Sequence, residues 1–116
     1  MFETNVYYNP DKHGLEVVAD LELYEQDYSF DTVVAWRHVE SGDVYWAHDS
    51  GCSCPSPFED YNSIESLTKL SFENYWELEI ATDHCYQPNA RADFLRKVAL
   101  ALDGKWKRAE KIEDWL

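Results

Sequence analysis

Basic residues are scarce in this chain: ten Lys and Arg stand against 23 Asp and Glu, a formal net charge of −13 over 116 residues. Only Lys12, Arg37 and Lys69 fall within residues 1–90, where 18 acids leave a local balance of −15, whereas residues 91–116 hold seven bases and five acids. Gripping phosphates requires a basic footprint, so direct nucleic-acid binding is not expected. No apolar run approaches the roughly 20 residues of a membrane-spanning helix. The stretch Met1–Asn5 lacks the basic start and apolar core of a secretory signal. Cysteine is limited to three residues, an odd number that closes no disulfide framework and suits a reducing cytoplasm. Repeats and low-complexity tracts are missing as well. The chain therefore reads as a single domain, 1–116, long enough to bury its own core.

Aromatic residues, by contrast, are plentiful, with five Trp and eight Tyr suited to core and sheet-face positions. Leu15–Tyr24 alternates, with Leu15, Val17, Ala19, Leu21 and Leu23 on one face and Val18 the exception, as in a half-buried strand. Thr32–Val39 and Val44–His48 flank a turn-forming Glu-Ser-Gly-Asp and predict a hairpin. Val6–Tyr8 is a candidate short edge strand. Asn62 with Glu65 resembles a capping box for a short helix to about Leu70. In residues 71–85 a strand-like alternation of Trp76, Leu78 and Ile80 competes with a helical spacing of Phe72, Tyr75, Trp76 and Ile80; the helix is favoured, with Ser71 as its cap. Asn89–Leu102 is the clearest helix, with a stripe of Phe94, Leu95, Val98, Ala99 and Leu102 and a stop at Asp103-Gly104. A last amphipathic piece, Lys105–Leu116, places Trp106, Ala109, Ile112 and Leu116 on one side. The expected fold is α+β: an N-terminal three- to four-stranded antiparallel sheet (roughly 6–48), a cysteine/proline loop (49–61) and C-terminal helices (roughly 62–116) covering the sheet.

The loop residues Gly51, Cys52, Ser53, Cys54, Pro55, Pro57, Phe58, Glu59, Asp60 and Tyr61, with Asp93–Val98 later, resemble a family of small proteins of unknown function. These proteins are encoded by bacteriophages of mycobacteria and other actinobacteria. The resemblance implies a phage product acting in the host cytoplasm, and it implies no reaction.

Three chemistries compete for the loop. Cys52 and Cys54 with His48, His84 or Cys85 supply the ligand types of a tetrahedral zinc site, although a single residue between the cysteines departs from zinc-finger spacing. A nucleophilic thiol at Cys52 beside His48 is opposed by Asp49, Glu59 and Asp60, since nearby carboxylates raise a thiol pKa. An architectural corner accounts for every residue without a ligand: Gly51 turns the chain, Pro55 and Pro57 stiffen it, and Phe58 anchors it. No catalytic constellation is expected. The favoured function is non-enzymatic binding of a host protein with a basic surface through Glu59, Asp60, Glu73, Glu77, Glu79 and Asp83, with mimicry of DNA as one version. The alternative is a small-molecule- or zinc-binding module in which Trp36, Trp46 and His48 line one face of two neighbouring strands. No oligomeric state is indicated.

Overall fold

Thr32 to Trp36 is an unbroken run of β-branched, small and aromatic residues, and all five are buried. A strand can carry such a run only if both of its faces are covered. A computed structural model describes residues 4–24, 29–52 and 58–105, Cys52 by its backbone alone, and shows how that covering is built. The strands β1 (Leu15–Glu22), β2 (Ser29–His38), β3 (Val44–Cys52) and β4 (Thr68–Leu70) form one antiparallel sheet in the order β1-β2-β3-β4. The helices α1 (Tyr75–Ala81) and α2 (Pro88–Leu102) follow, so the architecture is the expected α+β.

Side chains of Val33, Ala35 and Val44 meet Leu78 of α1 and Phe94, Val98 and Ala101 of α2 in one core. Val34, Trp36 and Ala47 point the other way, into a second core closed by Val6, Phe58 and Leu67. The sheet is thus the middle of three layers: helices on one side, and on the other the N-terminal segment with residues 58–67. Coverage on both sides explains why the core of β2 does not alternate.

Several local expectations are corrected. The alternation of β1 breaks at a β-bulge between Val17 and Ala19, where Val18 has no opposite residue on β2. The bulge switches faces, so Leu15 joins the second core while Val18 and Leu21 join the helix-side core, and Val17 is left partly exposed. Val6–Tyr8 is a turn rather than an edge strand: the side-chain oxygen of Asn5 accepts hydrogen bonds from the backbone N–H groups of Tyr7 (2.7 Å) and Tyr8 (3.0 Å). The helix expected over Asn62–Leu70 is a three-residue 3-10 turn, Ile64–Ser66, followed by β4. Strand wins because Leu67 and Leu70 must bury on opposite faces, and because β4 satisfies the backbone edge of β3 through the pairs Val44–Leu70 and Trp46–Thr68. The third strand runs on past His48 to Cys52. The amphipathic piece expected over Lys105–Leu116 lies outside the described residues from position 106 onward, as do loop residues 53–57.

Candidate functional site

α1 is only seven residues long, and of those it buries Leu78 alone. At about 100° per residue, positions two before and two after Leu78 fall on the opposite side of the helix. Trp76 and Ile80 occupy those positions and are 57 % and 59 % exposed, and Phe72, one turn earlier, is 62 % exposed. Glu77 flanks this ridge on one side, and Glu79 and Asp83 on the other, all exposed, with exposed Glu73 beside Phe72. Of the expected spacing, Trp76 and Ile80 do lie on one stripe of α1, which faces outward, while Phe72 sits in the turn that leads into the helix. Leu78 with Thr82 makes the inward face, helped by half-buried Tyr75. The sequence signal for this inversion was the alternation Trp76-Glu77-Leu78-Glu79-Ile80, which on a helix sets Leu78 against the other two.

The short helix is held rigidly. Tyr75 Oη donates to the Leu95 carbonyl at 2.9 Å. Arg91 donates to the Glu79 carbonyl at 3.0 Å and to Thr82 Oγ1 at 3.1 Å. Thr82 Oγ1 in turn donates back to the Leu78 carbonyl at 3.0 Å. The start of α1 is set by Asn74, whose side-chain oxygen accepts from Ser71 N–H at 2.7 Å and whose amide donates to the Lys69 carbonyl at 3.0 Å. Asn74, not Ser71, takes the capping position. Burial, then the Glu79 carboxylate, raises the Tyr75 phenol above its ordinary pKa, against a smaller opposing pull from Arg91. The phenol is therefore a stable hydrogen-bond donor at neutral pH.

The remaining candidates are dispersed. Glu59 and Asp60 sit in the turn after Phe58, on the side of the sheet away from α1, so they do not extend the acidic row of Glu73, Glu77, Glu79 and Asp83. Trp36 and Trp46 do not share a face: Trp36 opposes Tyr45 and Ala35 opposes Trp46 across β2 and β3. Trp36 is fully buried in the second core, where its Nε1 donates to the Val6 carbonyl at 3.1 Å. Trp46 packs against the helix-side core, and its buried Nε1 has no acceptor among the described residues. Both rings are packing residues, which removes the pocket expected between them.

The described zinc-ligand candidates stand apart. His48 Nε2 meets Asp31 Oδ1 across β2 and β3. His84 Nδ1 lies 3.1 Å from Asp83, and its ring lies against Tyr24. Cys85 is buried beyond β1, its thiol directed at the Glu22 carbonyl at 3.4 Å. Among the described residues no three His, Cys, Asp or Glu side chains gather as a metal site would require. The Cys52 side chain and Cys54 lie outside the described residues. The anchoring role expected of Phe58 is present: its ring is fully buried among Tyr7, Trp36 and Tyr61. Asp49 accepts its N–H at 2.8 Å. No described helix is long and apolar enough to cross a membrane.

A family model described as a domain of unknown function, DUF7574, matches residues 4–103. No curated protein and no solved structure matches the chain.

Proposed function

The chain belongs to the DUF7574 family, and from that premise we propose that it is a non-enzymatic binding module that uses the outer face of α1 to hold a protein partner. The observation that carries this reading is the Phe72–Trp76–Ile80 ridge, three large apolar side chains each more than half exposed, between carboxylates. Contiguous exposed apolar surface with a polar rim is the pattern of interaction sites. A matching partner surface offers an apolar groove or helix edged by Lys and Arg. Trp76 is the anchor in this reading, because buried aromatic side chains dominate interface energetics. Glu73, Glu77, Glu79 and Asp83 steer the encounter and set its salt dependence. The resemblance of the 51–61 loop to phage proteins supports a phage accessory role directed at a host protein in the host cytoplasm.

Placing a photo-cross-linking residue at position 76, with position 92 on the exposed side of α2 as control, identifies the partner. Its affinity is then measured against the native chain and the Trp76→Ala/Ile80→Ala variant. The expected result is a loss of about 2 kcal/mol or more, at least roughly 30-fold in Kd, together with weakening as salt rises. A partner captured equally well from position 92, or bound equally well by the variant, overturns the reading.

A further inference from the structure

Glu77 and Glu79 stand two residues apart on α1, so at about 100° per residue they are turned about 200° from each other, on opposite sides of the Trp76–Ile80 row. From Leu70 to Ala90 the chain has four acids and no Lys or Arg. The bases nearest in sequence are engaged elsewhere. Lys69 pairs with Asp43 at 3.6 Å, Arg91 donates to Thr82 and to the Glu79 carbonyl, and Arg96 and Lys97 both pair with Asp93. No Lys or Arg among the described residues forms an ion pair with Glu73, Glu77 or Glu79. The apolar row is therefore bordered on both sides by carboxylates without a countercharge among those residues. The Tyr75 bond to α2 and the Arg91 bond to the Glu79 carbonyl hold that arrangement ready before any partner arrives.

We infer that the occupant of this ridge is a single amphipathic helix, its apolar seam laid on Phe72, Trp76 and Ile80 and Lys or Arg running along both edges of the seam. The inference rests on the reading of α1 as a binding face, and it names the partner element. Shape and charge select it together. α1 is seven residues, about 10 Å, so about two turns of a partner helix cover it. A helix carries an apolar stripe about 100° wide, and Lys or Arg on either side of the stripe reach outward past it. One such helix laid along α1 meets the row and both carboxylate borders at once. An extended strand does not: its side chains alternate between two faces, so the face turned to α1 is one row and cannot be apolar between two basic rows. A flat basic surface meets the carboxylates and leaves Trp76 and Ile80 in water. A second copy of this chain would bring the same carboxylates to the same row, and like charges oppose that pairing. A concave groove edged with bases is the competing shape, and a free helix that binds by itself excludes the need for one.

The probe is an amidated peptide of about 14 residues, ~20 Å as a helix, built from Leu and Lys at helical period so that a Leu seam runs between two Lys edges. Two controls keep its length and charge: one alternates Leu and Lys, which suits a strand, and the other carries Pro at the centre of the helical sequence. Each is titrated into the isotope-labelled full chain and followed by NMR at the backbone amides of residues 72–83. The helical probe is expected to shift those amides and to bind at least about tenfold more tightly than either control. Trp76→Ala/Ile80→Ala and Glu77→Gln/Glu79→Gln should each weaken it about tenfold or more. All four positions are exposed, so both variants keep the fold, and unchanged spectra away from α1 verify this. Three results overturn the inference: no shifts over 72–83 with the helical probe at about 1 mM, a control that binds as tightly, and binding indifferent to either variant. If position 76 captures a partner that needs Trp76 and Ile80 but the helical probe does not bind, only this inference falls. If the probe binds as expected but no partner depends on Trp76 and Ile80, the preference of the face for such helices stands and the binding-module reading falls.

Discussion

Asn5 and Phe58, fully buried and 53 residues apart, are joined by a hydrogen bond from Asn5 Nδ2 to the Phe58 carbonyl at 2.6 Å. The same side chain accepts the N–H groups of Tyr7 and Tyr8, so one amide fastens the N-terminal turn and the loop exit over the second face of the sheet. Asn5→Ala leaves three backbone groups short of a partner in or near a dry site. A loss of about 2–4 kcal/mol is expected, each orphaned group costing roughly 1 kcal/mol or more. Urea unfolding of the two proteins side by side measures it, and a loss below about 1 kcal/mol would show that water replaces the amide.

Phe58 also sits at φ +60°, the left-handed region that a bulky residue adopts only when its surroundings compel it. Removing the ring by Phe58→Ala should cost about 3–5 kcal/mol. Phe58→Gly deletes the same ring yet relieves the backbone, so it should be the more stable of the two by about 1 kcal/mol. At an ordinary helix or strand position the order would be reversed, and thermal melts of the pair decide.

The two sheet tryptophans should respond differently to the same substitution. Trp36→Phe removes the donor to the Val6 carbonyl and opens space in a fully buried site. Trp46→Phe removes a buried N–H with no acceptor among the described residues, which offsets its packing loss. We expect the first to be at least about 1 kcal/mol more destabilising, read from denaturant midpoints at unchanged slope.

Alkaline pH should loosen the fold through three tyrosines. Burial first, and then Asp20 for Tyr7, Asp49 for Tyr61 and Glu79 for Tyr75, raises each phenol above its usual value. In the unfolded chain these groups ionise near pH 10. As pH rises from there through the folded values, the unfolded chain gives up protons that the fold retains, so stability falls over that interval and then levels off. Below it the contribution is constant. Urea melts at pH 8 and 11 should show the drop, and Tyr7→Phe should make it smaller; an equal drop in that variant would assign the effect to other groups.

What the sequence disclosed followed from periodicity and local chemistry. The hairpin around Ser41-Gly42 and the helix over Pro88–Leu102 were legible because turn residues and apolar spacing agreed. The bulge at Val18 was hidden, since consecutive valines satisfy either face until the partner strand sets the register. The identity of 68–70 was hidden for a related reason: only the unpaired edge of β3 selects strand there. Of the candidate site, the carboxylates of α1 were legible as an acidic row. Its apolar ridge was legible only as a spacing, because helical periodicity reports that a stripe exists and is silent about which way it faces. The role of Asn5 depends on a partner 53 residues away and left only the faint trace of an Asn before two tyrosines.

The bulge in β1 has a consequence for the molecule in a crowded solution. β1 borders the sheet, where a regular strand would offer its free backbone groups to a neighbouring chain. The extra residue at Val18 kinks that border, and Glu16, Asp20 and Glu22 place charge on both sides of the kink. A second copy laid alongside loses register within a few residues and meets like charge as it does so. The irregularity that hid this strand's faces in the sequence is also a barrier to growth into fibrils.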